Sequence, residues 1–479
     1  MKSILYIASE AMPFAATGGL GDVMGSLPVA VLEASRGECD VRVVMPFYSA
    51  ISEEYRERMT LESEFEVSLS WRRLYCGVLS LKKDGVIYYF LDNEYYFARD
   101  SIYGAYDDGE RFAFFSMAAL EMLGVIGFYP DVIHANDWHS ALSVIYLERK
   151  YRGIKGYTDI RTVFSVHNIE YQGVFDLSIL GDVFSLDGSD RECVEFDGRI
   201  NLMKGAFICA DRICTVSPRY AEEICTAEYG GGLEGILRDN SFKLVGILNG
   251  IDYSYYDPSN DPDIEKNYTW RSSGRKGENK LALQRECSLE EREDVPLLAI
   301  VSRLASHKGI DLVAHMIYNL VEHNDVQFVV LGCGHSEYER LFVDLSNRFP
   351  TRVAALIKYD RALSKRIYAA ADIFIMPSKS EPCGLSQMIA SRYGAIPVVR
   401  ETGGLFDSIK GFWQEGDTLH GNGFTFANYS ADELYGRCIA AVEIWRDADL
   451  RKRFVSKIMR TDFSWGASAV RYLALYDSL

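Results

Sequence analysis

Residues 377–409 read PSKSEPCGLSQMIASRYGAIPVVRETGGLFDSI. The apolar run Ile373, Phe374, Ile375, Met376 ends at Pro377, and a short run closed by a breaker reads as a buried strand of a parallel sheet. A polar loop, 378–384, follows. Residues 385–393 have helical spacing and stop at Gly394, as helices stop at glycine. Residues 395–399 read as the next strand, and Thr402, Gly403 and Gly404 open onto a second helix. In sheets built this way, ligands bind beyond the carboxyl ends of the strands, where these loops lie. A helix N-terminus offers free N–H groups and partial positive charge, so each loop suits an anion. With Glu381 in the same loop, the pattern points to a phosphate-bearing ligand whose other end meets an acid, such as a nucleotide sugar.

Glycine and proline mark turns everywhere, and Thr402-Gly403-Gly404 alone would be read as an ordinary turn. The device recurs, however. Thr17-Gly18-Gly19-Leu20 stands after the first apolar strand and before a helix, and the same four letters return at 402–405. Two such loops in two halves fit a ligand clamped by two similar domains.

The chain has 479 residues, enough for two or three domains, and 48% apolar residues supply full cores. Its net charge of -17 argues against a nucleic-acid or membrane-surface binder. The opening MKSILYIASE reads as a strand broken by Glu10 rather than a leader, and no apolar run of about 18 residues suggests a membrane span. Ten cysteines without a Cys-x-x-Cys pair read as reduced cytoplasmic thiols, not a zinc site.

Along the first half, strands are expected at 4–8, 41–45, 131–135, 161–166, 213–216 and 244–248, with hairpins over 65–91. The second series places strands at 296–301, 327–331, 353–357, 372–376 and 395–399, and only helices after 426. The stretch 252–280 is polar and turn-rich, and the hinge is expected near it. The fold class is α/β, two doubly wound domains facing across a cleft.

His134, Asp137 and His139 cluster at a strand end. A metal site is one reading, but the offsets match no standard zinc spacing. A loop satisfied by its own hydrogen bonds is another, and a third puts Asp137 and His167, both just past strand ends, on sugar hydroxyls. Arg303 and Lys308 follow the strand at 296–301 and suit a diphosphate; either alone is as readily a surface cation. Tyr359 suits a nucleobase stack, or is simply exposed.

These segments together resemble the bacterial and plant glycogen/starch synthases, glycosyltransferase family 5 of the GT-B fold. The resemblance runs almost end to end: ATGGLGDV (16–23), ERFAFFSMAALE (110–121), HANDWH (134–139), VHNIEYQG (166–173), NLMKGAFICADRICTVSPRYAEEI (201–224), GILNGID (246–252), SRLASHKGIDL (302–312), the long segment 380–405 and DFSWGASAVRYLALY (462–476).

The resemblance implies retaining transfer of glucose from ADP-glucose to the non-reducing end of an α-1,4-glucan, with no cofactor and no metal. It implies an acceptor-side domain over 1–248, a nucleotide-sugar domain over 249–461, and a segment over 462–479 that returns to the first. Glu381 takes the place of the family's glutamate at the sugar. Asp137 and His167 match residues near the reacting carbon, Arg303 and Lys308 the phosphate cations, and Tyr359 the nucleobase stack. Gly18, Gly19, Gly403 and Gly404 match backbone phosphate contacts. Thr17, Asn168, Asn249, Cys383, Gly384 and Thr402 complete the expected substrate-binding set. The expected partners are ADP-glucose and glucan, with no nucleic acid and no membrane. One position departs: the family's Lys-Thr-Gly-Gly-Leu has Ala16 in place of its lysine, which removes a cation from the donor phosphate. The alternatives are a synthase using another nucleotide sugar, an inactive glucan- or nucleotide-binding regulator, and a phosphorylase, for which no pyridoxal-lysine motif is seen.

Overall fold

The computed structural model describes residues 1–479 and divides them into two compact units. One comprises Met1–Asn249 with Trp465–Leu479, the other Gly250–Ser464.

The first unit is built on a nine-stranded sheet. Across it run Leu244–Gly246, Arg212–Thr215, Arg161–Val166, Val132–Asn136, Lys2–Ile7, Cys39–Pro46, Val86–Asp92, Arg72–Lys83 and Thr60–Leu69. The first seven are mutually parallel, and Arg72–Lys83 alone runs the other way, antiparallel to both of its neighbours, Val86–Asp92 and the edge strand Thr60–Leu69. Ile4, Leu5, Tyr6 and Ile7 are all fully buried. A continuous buried run, rather than alternation, means that both faces of the sheet are covered. The helix Trp465–Asp477 packs on Gly19–Ala34. It is pinned by Tyr476, whose hydroxyl lies 2.7 Å from that of Tyr6 and 2.8 Å from Nδ1 of His134.

The second unit carries a six-stranded, wholly parallel sheet in the order Val353–Leu356, Gln327–Leu331, Leu297–Val301, Ile373–Met376, Ile396–Arg400 and Phe424–Phe426. The boundary between the units, at Asn249 and Gly250, lies next to the stretch 252–280, and that stretch itself is bound into the second unit. Lys276 opens the helix Lys276–Glu286 and is buried; its ammonium donates to the carbonyls of Tyr368, Ala369 and Tyr393 at 2.7–3.0 Å. It thereby satisfies carbonyls at the end of the helix Arg361–Ala370, which have no partner within their own helix. The stretch reads as a linker because it is polar, but its polar groups are spent inside the fold.

Candidate functional site

In the first unit, parallel strands carry their following loops to one edge of the sheet, where a ligand site belongs. Asn136 is the register partner of Ser165 on the neighbouring strand. Asp137 then turns the chain with φ 56° and ψ 176°, a conformation costing a non-glycine residue on the order of 1–3 kcal/mol. Its N–H donates to the Ser165 carbonyl at 2.9 Å, which holds the turn. The turn brings Oδ1 of Asp137 to the backbone N–H of His167 at 2.8 Å, with the Asn168 N–H alongside. Burial pushes the Asp137 carboxyl up to about 7 despite those donors. Burial also lowers His167 to about 4, so its imidazole is neutral at pH 7. The ring's Nε2 sits 2.9 Å from Oδ1 of Asn136.

The other two members of the expected cluster go elsewhere. His134 is fully buried between Tyr476 and the Ser165 hydroxyl, and His139 stacks on Tyr103 at 4.4 Å between ring centres. The three side chains reach separate partners and do not converge as a ligand set. Asn249, only 5% exposed, keeps its buried Oδ1 without a hydrogen-bond partner.

The Thr17-Gly18-Gly19 loop is organised by Glu10, a residue the sequence reading treated only as an interruption. Glu10 is buried and accepts from the N–H groups of Thr17 and Gly18 and from the hydroxyls of Thr17 and Tyr103. The Gly18 N–H, expected to face a phosphate, is therefore engaged by a carboxylate. The loop surface is otherwise open: a methyl group added at Gly18 or Gly19 would meet nothing within 4 Å. Ala16 is exposed beside it.

In the second unit, Glu381 sits in the loop after Ile373–Met376 and is 6% exposed. Its Oε2 takes the Lys308 ammonium at 2.7 Å and the Ser378 hydroxyl at 2.9 Å. Lys308 thus pairs with Glu381, a partner that neither the diphosphate reading nor the surface-cation reading of the sequence supplied. Gly309 makes this possible: at φ 72°, it passes so close to the end of the Glu381 strand that a Cβ would lie 2.1 Å from the Pro377 carbonyl. Arg303 is exposed, and Tyr359 stands 81% exposed.

Thr402, Gly403 and Gly404 pack against the Glu381 loop. The Gly404 N–H donates to the carbonyls of Glu381 and Pro382, both at 3.1 Å. It is therefore not open to a phosphate as the sequence reading expected. Cys383 is buried, and the carbonyls of Cys383 and Gly384 accept from the Gln387 amide at 3.2 and 2.9 Å. Ser378, Asn136 and Glu10 escaped the sequence reading. Their common signal is a polar residue at or just past the end of an apolar strand, too weak to find them alone.

A starch synthase catalytic domain model matches residues 3–239, and a glycosyl transferases group 1 model matches residues 286–459. The glycogen synthase of Anoxybacillus flavithermus is 46% identical over 480 residues, covering 99% of this chain and 98% of its own. That of Clostridioides difficile is 45% identical over 482 residues, with 99% of both chains covered. Among solved structures, the catalytic domain of starch synthase IV from Arabidopsis thaliana, bound to ADP and acarbose, superposes with a TM-score of 0.90 at 36% identity, covering 100% of this chain and 99% of its own. Sucrose-phosphate synthase from Thermosynechococcus elongatus shares the fold, with a TM-score of 0.61 at 16% identity and coverage of 100% of this chain and 99% of its own.

Proposed function

The chain belongs to the glycogen synthase family of glycosyltransferases, and from that premise we propose that it transfers glucose from ADP-glucose to the non-reducing end of an α-1,4-glucan, with retention of configuration. The observation that carries the reading is Glu381, a buried carboxylate at the carboxyl edge of a parallel sheet, gripped by Lys308 and Ser378. The related starch synthase was solved with ADP and acarbose, which supports an adenine nucleotide donor and a glucan acceptor here.

In the proposed reaction, the bond from glucose C1 to the diphosphate oxygen breaks and a bond to the acceptor hydroxyl oxygen forms on the same face. The acceptor proton passes to the leaving phosphate, so ADP and a glucan longer by one glucose result. Glu381 holds the sugar, and Lys308 and Arg303 neutralise the diphosphate as charge builds on it. Tyr359 stacks on the base. Asp137 and His167 hold sugar hydroxyls, and the open surface at Gly18 and Gly19 accommodates the donor. Thr17, Asn168, Asn249, Cys383, Gly384, Thr402, Gly403 and Gly404 shape or line the substrate sites. No helix is long and apolar enough to cross a membrane, and the ten cysteines are free thiols, which supports a place in the reducing cytoplasm.

A second reading, a different nucleotide sugar, is favoured by one feature. Glu10 places a carboxylate beneath the Thr17-Gly18-Gly19 loop, and Ala16 supplies no cation beside it. Transfer of labelled glucose to glycogen, run with ADP-glucose and UDP-glucose in parallel, separates the two. The proposal expects ADP-glucose to give the larger kcat/KM; preference for UDP-glucose would replace the donor, and no transfer from either would refute the proposed activity.

A further inference from the structure

We propose that Asn136 is a positioning residue that fixes His167 as the neutral imidazole protonated on Nε2, leaving the Nδ1 lone pair to accept a hydrogen bond from a substrate hydroxyl. The inference rests on the reading of His167 as a sugar contact, and its first test does not depend on that reading.

Asn136 is fully buried at the end of Val132–Asn136. Its amide nitrogen donates to the carbonyls of His134 at 3.1 Å and Ile7 at 3.3 Å. Carbonyls only accept, so turning the amide over would set oxygen against oxygen twice and lose both of these bonds. The orientation of Asn136 is therefore decided by its neighbours, not by His167. Its Oδ1 is committed to the remaining direction, where Nε2 of His167 lies at 2.9 Å. An amide oxygen also only accepts, so the proton must be on Nε2. In the neutral ring that leaves the lone pair on Nδ1. Nδ1 makes no hydrogen bond within the protein.

The backbone is held as firmly as the ring. Asp137, next in sequence, takes the His167 N–H at 2.8 Å, so two consecutive residues fix both parts of one histidine. The ionisable groups around it are Asp137, the buried neutral imidazole of His134, and Glu10 beyond Asp137. Protonation of His167 would put an N–H on Nδ1 and end its use as an acceptor. The opposite tautomer would do the same and also face a lone pair against Oδ1 of Asn136. The acceptor role therefore depends on Asn136, although Asn136 need not touch substrate.

Long-range proton–nitrogen spectra of protein labelled on the histidine ring nitrogens read the tautomer directly. His167→Gln identifies the signal among eight histidines. The expected wild-type result is a neutral ring with its proton on Nε2 at pH 7. In Asn136→Ala, the His167 nitrogens should move toward a mixture of tautomers, and kcat should fall about ten- to a hundredfold, as when other orienting partners are lost, with a smaller change in donor KM. In Asn136→Asp, a carboxylate facing Nε2–H favours the imidazolium, and the acid limb of the kcat profile should move to higher pH. A wild-type ring protonated on Nδ1 or on both nitrogens at pH 7 would overturn the inference. So would an unchanged ring spectrum in Asn136→Ala, or an unmoved acid limb in Asn136→Asp. If Asn136→Ala does not fold, the wild-type spectrum and Asn136→Asp still decide. The expected tautomer combined with full turnover in His167→Gln would leave the tautomer assignment standing and refute the sugar contact instead.

Discussion

Residues 17–20 and 402–405 are both Thr-Gly-Gly-Leu, and both lie between a parallel strand and a helix. In the first copy the glycines are exposed, with open space where a side chain would stand. In the second they are buried. A Cβ at Gly403, whose φ is 43°, would lie 1.9 Å from the Glu381 carbonyl, and one at Gly404 would lie 2.1 Å from the Cys383 carbonyl. The first pair leaves room outside the protein; the second lets two loops touch inside it and so fixes the backbone that carries Glu381. One motif thus answers two physical demands, accommodation and close approach, and letters alone do not tell them apart.

Apart from Glu381 itself, the largest effect expected from the second region comes from Lys308. Lys308→Ala strands a buried carboxylate at Glu381, and an unpaired buried charge of this kind costs about 2 kcal/mol. It should lower kcat/KM by about a hundredfold or more, as losing a group aimed at developing charge does. Gly404→Ala comes next. Forcing a methyl group against the Cys383 carbonyl should cost about 1–3 kcal/mol and lower Tm by several degrees in a thermal scan. Gly19→Ala should leave Tm unchanged and alter only kinetics. Equal Tm losses in the two glycine variants would erase the distinction between the loops.

Ala16→Lys probes the first region with a smaller effect. It supplies a cation near the Glu10 carboxylate and the open loop, and should raise kcat/KM for ADP-glucose several-fold, about 1 kcal/mol of charge stabilisation. Steady-state kinetics at fixed ionic strength check it. An unchanged or lower value would mean that the loop does not merely lack a cation.

The first region also sets a pH dependence. Burial holds His134 and His139 at about 3 and His167 at about 4, against about 6.5 in an unfolded chain. As pH falls from 6.5 towards 4, the unfolded chain gains these protons and the folded one does not, so stability falls. Asp137 acts in the opposite sense. Its folded value of about 7 lies above the ordinary carboxylate, so its contribution is present at low pH and lost as pH rises through 7. Three groups outweigh one, and denaturant unfolding at stepped pH should show net loss on acidification. Asp137→Asn removes the opposing slope and should steepen that loss; a shallower loss would contradict the assignment of these shifts.

The strands were legible because a central parallel strand is buried on both faces and is written as an unbroken apolar run, as at Ile373–Met376 and Gln327–Leu331. The positions of Asp137, His167 and Glu381 past strand ends followed from the same pattern. Their partners did not. Asn136 meets Ile7, 129 residues away, and Lys308 meets Glu381, 73 residues away, separations over which local spacing carries no signal. Lys276 shows the converse: in a polar stretch, a lysine looks exposed, but here its ammonium serves three carbonyls inside the second unit.

The central claim is that Glu381 acts in the glucose transfer itself. Glu381→Gln keeps the size of the side chain and an acceptor for Ser378, and removes the charge. Transfer of labelled glucose from saturating ADP-glucose to glycogen, beside circular dichroism and Tm of the same sample, is the most direct test. The account predicts a folded protein whose kcat and kcat/KM fall together by about a hundred- to a thousandfold, the mark of a group acting mainly in the transition state. A folded Glu381→Gln protein with near-normal turnover would contradict it.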